Sequence, residues 1–240
     1  MLKWLENYWY HYKWHTLIAA FFVIMLTVMG VQMCNREDDD IYIIYAGAEL
    51  ISDERREHIK DAFQQVMPKD YDGDGAKRVD FMDIILMNHE ELKQAYANGA
   101  NQYFLNEGTV ESSKETLSVQ AMAGDYVIFL IGSEWYANLH KAGAFVTFDE
   151  LDALGIALPE EGVRYDDCAY YLNSLDFAKF FTCFEGFPED TLICVRRMTT
   201  VANVKGQRET EEHYQNHLDY YGKLLSFKLP EDWNPEGEGE

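Results

Sequence analysis

The chain has 240 residues, 48% hydrophobic and 15% aromatic, with only five prolines and sixteen glycines, a composition that supports a packed core and excludes fibrous or disordered chains. Its formal charge is -22, from 42 acidic and 20 basic residues spread along the sequence. That balance excludes a nucleic-acid partner, because phosphate backbones repel such a surface, and it holds the soluble part off anionic headgroups.

Residues 1–15 form a cytoplasmic or interfacial segment carrying Trp4, Tyr8, Trp9, Tyr10, Tyr12 and Trp14. Such aromatics prefer the headgroup zone, where one edge of the ring is apolar and the other wet. Residues 16–34 (TLIAAFFVIMLTVMGVQMC) contain no charge and span about 28 Å as a helix, enough to cross a hydrocarbon core. The lipid bilayer is therefore an expected partner. Lys3 and Lys13 precede this run and Glu37-Asp-Asp-Asp40 follows it, so the positive-inside rule places the N-terminus in the cytoplasm and the remainder outside. Three other readings stand beside the anchor. A cleaved signal peptide needs small residues at its cut site, where this run has Gly-Val-Gln-Met-Cys. Acylation at Cys34 needs small residues before it, where Gln32 and Met33 stand. A core helix of a soluble protein lacks such an aromatic girdle.

Residues 35–40 are a polar linker. Ile41–Tyr45 reads as a buried strand, and Ser52 caps a helix whose apolar stripe is Ile59, Phe63 and Val66, ending at Pro68. A polar loop over 70–75 leads to a strand over 79–87. A helix over 90–104 is interrupted by Gly99, and Ser112 with Glu115 has capping-box spacing for the next. Tyr126–Ile131 is a strand, and Ser133 caps a helix running to Lys141 with Gly143 as its stop. Phe145–Phe148 and a short acidic helix from Asp149 follow. Residues 163–200 are β-like, with Thr191–Arg196 the clearest strand, and Thr210–Phe227 is an amphipathic helix. The expected architecture is an α/β domain over 41–229, a parallel-rich sheet with flanking helices, preceded by one transmembrane helix. A disordered acidic tail over 230–240 completes the chain.

Among Cys34, Cys168, Cys183 and Cys194 no CxxC pair occurs, which argues against a zinc knuckle. Outside the cell, the last three allow one disulfide or three lone thiols. The chain has no Asn-x-Ser/Thr acceptor, which favours a bacterial source.

The stretch Ala121-Met-Ala-Gly-Asp-Tyr-Val-Ile-Phe-Leu-Ile-Gly-Ser-Glu-Trp-Tyr-Ala-Asn-Leu-His-Lys-Ala-Gly-Ala-Phe145, with Asp149-Glu-Leu151 after it, resembles a segment of type II extracellular solute-binding proteins. There, a helix ending in Ala-Gly-Asp is followed by a buried strand, a short loop, and a helix ending in Ala-Gly. The Tyr42–Tyr45 strand with its following helix and strand fits the same lobe. The resemblance covers about half the chain. It implies a periplasmic-binding-protein-like lobe that faces its ligand with the loops after the strand carboxyl ends, here Ala46, Gly47, Ser133, Glu134 and Trp135. Family members are about twice as long, close two lobes over the ligand, and are cleaved or lipidated. This chain has room for one lobe, so it can carry the fold without the trap. Trp135 is a stacking surface for a sugar or cation, or a core residue beside a simple Ser133 cap.

Asp70-Tyr-Asp-Gly-Asp-Gly75 matches the first half of a calcium loop. Asp70, Asp72, Asp74 and Asp80 are the candidate ligands for Ca2+. The match then fails, with Lys77 at the eighth position and Phe81 at the twelfth, and an acidic turn explains the run equally. His213 and His217 share a helix face at i, i+4, a zinc spacing, but the glutamate that would follow the first histidine of a metalloprotease is Tyr214. Arg196-Arg197 is expected to pair with surface carboxylates. No nucleophile elbow, phosphate loop or dinucleotide motif occurs, so no catalysis is expected. Two roles follow: a solute receptor serving a transporter, or a non-catalytic interaction domain for another envelope protein, with its pocket filled.

Overall fold

The computed structural model describes residues 2–34, 39–159, 162–198, 211–230 and 233. It separates into two units, Met1–Asp38 and Asp39–Glu240. The expected linker falls largely on residues outside those described, as does the acidic tail.

The first unit is one helix, α1 (Leu2–Cys34, 33 residues). Its stretch Tyr8–Gly30, 23 residues, is long and apolar enough to cross a membrane, and none of its most apolar window is buried. This stretch starts earlier than Thr16 because it takes in the tyrosines and tryptophans ahead of the uncharged run.

The second unit is an α/β domain on one five-stranded mixed sheet. Its strands are β1 (Ile41–Gly47), β2 (Val79–Ile85), β3 (Ile128–Gly132), β4 (Ala169–Tyr171) and β5 (Thr191–Val195), in the order β2-β1-β3-β5-β4. β1 runs parallel to β2 and β3, while β5 is antiparallel to both β3 and β4. The alternating strands and helices thus give the expected parallel core, and a late antiparallel strand inserts between β3 and the edge.

Alternation along β1 sends its side chains to two apolar layers. Ile41, Ile43 and Tyr45 join α2 (Asp53–Val66), through Ile59 and Phe63, and α8 (Glu211–Leu225), through Leu218 and Tyr221. Ile44 and Ala46 join α4 (Glu107–Ala123), through Leu117 and Ala121, and α5 (Ser133–Lys141), through Tyr136. The sheet is therefore covered on both faces, as a parallel core requires. Three tyrosines of α8 donate their hydroxyls to backbone carbonyls, Tyr214 to Arg196, Tyr220 to Phe63 and Tyr221 to Ile193, which removes the cost of burying those groups.

Ser52 caps α2 by accepting from the Arg55 amide. α3 (His89–Ala97) stops before Gly99, which has φ 94. The cap of α4 is Asn106, not Ser112, which lies within the helix. An amide oxygen accepting the Thr109 N–H starts the helix earlier than the serine could. Phe145–Phe148 forms only a bridge at Phe145 to Arg196, and α6 (Phe148–Ala153) begins on a Thr147–Glu150 capping box. A five-residue helix, α7 (Asp176–Phe180), lies between β4 and β5.

Arg196 departs most from expectation. It is completely buried, and its guanidinium donates to the carbonyls of Tyr126, Arg197 and Gly124. It follows β5 into the core between sheet and helix, where the planar fork caps irregular backbone. Of the two arginines it is Arg197 that pairs at the surface, with Glu150, and it holds that carboxyl down to about 2.

Candidate functional site

In an open parallel sheet the binding crevice lies at the strand carboxyl ends, where neighbouring connections leave in opposite directions. β1 connects toward β2, while the chain leaves β3 on the other side, so the crevice lies between Gly47 and Gly132. Ala46 pairs with Ile131 across that boundary. The structure thus brings Ala46 and Gly47 beside the α5 N-terminus, which carries Ser133, Glu134 and Trp135.

The crevice is filled by the chain itself. Ser133 does not cap α5, whose cap is Gly132. Its amide and hydroxyl both donate to Asp190, at 3.2 and 2.6 Å. The exposed donors of a helix N-terminus favour an anion, and here the exposed Asp190 carboxylate takes the first of them, the Ser133 amide. Ala46 and Gly47 are buried. A Cβ on Gly47 would lie 2.5 Å from the Tyr45 hydroxyl oxygen, which accepts the Glu49 amide at 3.0 Å. Phe187 packs edge-on against Tyr45, with ring centroids 4.8 Å apart. Arg55 straps this segment down: it donates to the carbonyls of Cys183 and Glu185, pairs with Glu49 at 2.6 Å, and lies over the Phe187 ring. Burial raises the Tyr45 hydroxyl well above its ordinary value, so it remains a neutral donor and acceptor.

Glu134 and Trp135 open instead onto a neighbouring cleft of ≈ 380 Å³, lined also by Asn88, Leu92, Glu111 and Lys114. The Lys114 ammonium lies 5.6 Å from the Trp135 ring centroid and pairs with Glu111 at 3.0 Å. The face on which a sugar or cation would stack already carries a cation, and the indole rests against the apolar layer under α5.

In the acidic loop, Asp70 accepts from the amides of Gly73 and Gly75 and Asp72 from that of Asp74. The two amides hold the Asp70 carboxyl below its usual range, and burial raises that of Asp72. Asp74 turns to Arg78 and Asp80 to the Tyr126 hydroxyl. The residue that sequence reading misses is Asp40, whose carboxylate accepts from the amides of Tyr71, Asp72 and Arg78. A calcium ion at this loop would meet Asp40, Asp70 and Asp72 together, with Asp74 and Asp80 directed elsewhere. Asp40 is only 3% exposed, so Asp40→Ala strands three amides at once. The expected loss is about 2 kcal/mol of stability, checked by urea denaturation; Asp40→Asn, which keeps an acceptor, should lose less.

His217 of the i, i+4 pair uses both ring nitrogens, Nε2 accepting the Tyr42 amide at 2.9 Å and Nδ1 donating to the His213 carbonyl at 2.8 Å. No lone pair remains on it for a metal. Cys168, Cys183 and Cys194 are free thiols.

No family model, curated protein or solved structure matches the chain.

Proposed function

We propose that the chain is a single-pass envelope protein whose extracytoplasmic α/β domain binds another protein, such as a transporter, rather than a small solute. The observation that carries this reading is at the strand carboxyl ends, where Asp190 takes the Ser133 hydroxyl and Phe187 packs on Tyr45, side chains of the chain itself standing where an open sheet would receive a ligand. Tyr103 and Phe104, in the loop joining α3 and α4, are 92% and 79% exposed. Adjacent bare aromatics are atypical of a monomer surface and suit a protein contact. The charge order around α1 supports a cytoplasmic N-terminus.

The solute reading retains one supporting feature, the cleft beside Trp135. A thermal-shift panel of amino acids, sugars, polyamines and short peptides separates the two. The proposal expects no ligand to raise the melting temperature, whereas a rise that disappears in Trp135→Ala establishes the receptor instead. In cells, a photo-crosslinker at position 104 is expected to capture one defined envelope protein. The pair Tyr103→Ser and Phe104→Ser should abolish that contact while changing stability by less than about 0.5 kcal/mol.

A further inference from the structure

Away from the crevice, four side chains meet between the end of α5 and the loop before β4. His140 Nε2 lies 3.3 Å from Asp167 Oδ1 and 3.8 Å from Asp166 Oδ2. Cys168 Sγ lies 3.6 Å from Asp167 Oδ1. One potential ligand atom from each residue falls within 4.8 Å of all the others. A tetrahedral zinc ion, with bonds of about 2.0–2.3 Å, spaces its ligands about 3.3–3.7 Å apart. The His140–Asp167 and Cys168–Asp167 separations fall within that range, the His140–Asp166 separation lies just above it, and the remaining pairs lie within 4.8 Å. We propose that His140, Asp166, Asp167 and Cys168 form a structural zinc site.

The donor set selects the metal. One imidazole, two carboxylates and one thiol suit zinc, whereas calcium and magnesium take oxygen alone. The group of Asp40, Asp70 and Asp72 is a different case, since it offers oxygen alone.

The ligands are held in place by their neighbours, as metal ligands require. Tyr136 is fully packed in the core and stacks on the His140 ring, centroids 5.3 Å apart and planes 15° from parallel. Its hydroxyl reaches both Asp166 oxygens at 2.8 Å, and the Cys168 and Ala169 amides donate to Asp166 Oδ1. One tyrosine thus fixes the orientation of both the imidazole and a carboxylate. Cys168 is buried at the back of the group while Asp167 is exposed at its mouth.

Four protein ligands close the tetrahedron, which makes the site structural rather than catalytic. On binding, the S–H bond of Cys168 breaks, its proton passes to solvent, and the sulfur bonds to the metal. The imidazole binds through Nε2 with its proton on Nδ1. The ion would pin the end of α5 to the edge strand β4, which pairs with β5 on its inner side.

The test uses the full chain, purified in detergent and stripped with a chelator, titrated with zinc chloride against a chromophoric competitor and separately loaded with Co2+. The site predicts one equivalent of zinc, release of a proton, and a cobalt spectrum with thiolate charge-transfer absorption in the near ultraviolet. His140→Ala and Asp167→Asn alter partly or largely exposed side chains that the core does not need, and each should weaken binding at least about tenfold. Cys168→Ser should remove the charge-transfer absorption. Substoichiometric uptake, affinity unchanged in both His140→Ala and Asp167→Asn, or a cobalt spectrum without the thiolate band overturns the site.

Discussion

Arg196→Ala is expected to destabilise the domain by about 4 kcal/mol, a loss that combines a cavity with stranded carbonyls. Arg196 has the largest of the fully buried side chains. Its removal leaves a cavity whose walls relax only in part, a cost of about 2–5 kcal/mol for large buried side chains. It also strips charged donors from the carbonyls of Tyr126, Gly124 and Arg197, each unsatisfied group adding about 1–3 kcal/mol where water does not replace the donor. These contributions overlap, so their full sum is not expected. Arg196→Lys keeps the charge but loses the planar fork, because one ammonium cannot reach three divergent carbonyls, and should fall between wild type and alanine. Urea denaturation followed by circular dichroism measures the series. A loss under about 1 kcal/mol for Arg196→Ala would falsify the role of this residue as the support of the backbone between α4 and β3.

Acid should weaken the fold through His217. The imidazole is completely buried, and burial, with His213 nearby, pushes its pKa down to about 3 from the ordinary 6.5. The folded chain therefore holds it neutral while the unfolded chain takes a proton below pH 6.5. Its contribution is fully present above that pH and is lost progressively as pH falls toward about 3, at about 1.4 kcal/mol per pH unit. Over that window the total is several kcal/mol, comparable with the stability of an ordinary domain. His217→Gln retains an oxygen that can accept the Tyr42 amide and has no proton to gain. Its stability is expected to be lower at neutral pH and to fall less steeply between about pH 6 and pH 4, by the equivalent of one proton. Parallel profiles for the two proteins would show that His217 does not titrate as described.

The domain's plan is written in the periodicities of its sequence. Apolar runs at 41–45, 126–131 and 191–196 each overlap a strand, because a strand covered on both faces has no polar positions to obscure it. Two expected helix caps fail for one reason. Ser112 and Ser133 have the right chemistry, but Asn106 starts α4 earlier and Asp190 draws the Ser133 hydroxyl away. Neither competitor is visible in a local pattern. Arg196 reads as a surface cation because arginine is rarely buried, whereas its burial draws on the Tyr126 and Gly124 carbonyls, some 70 residues upstream.

The candidate site divides in the same way. Ala46, Gly47 and Ser133 do meet at the strand ends. The Arg55 strap and the Phe187 plug depend on contacts across more than a hundred residues, and no spacing announces them. Asp40 is similar: it sits just before β1, and its role is set by a loop some 30 residues further on. The His140 group joins a helix end to an Asp-Asp-Cys triplet, and that run of ligand-type residues is its one local signal.

The proposed envelope role depends on an apolar helix holding the acidic domain outside the membrane. Protease treatment of intact spheroplasts, with alkaline extraction of membranes from untreated ones, tests that arrangement most directly. The fragment from residue 39 onward is expected to be digested from outside while the spheroplasts are unbroken, and the full chain of the untreated sample to stay with the membrane pellet through the alkaline wash. A chain recovered in the soluble fraction, or one protected until the spheroplasts are lysed, would contradict it.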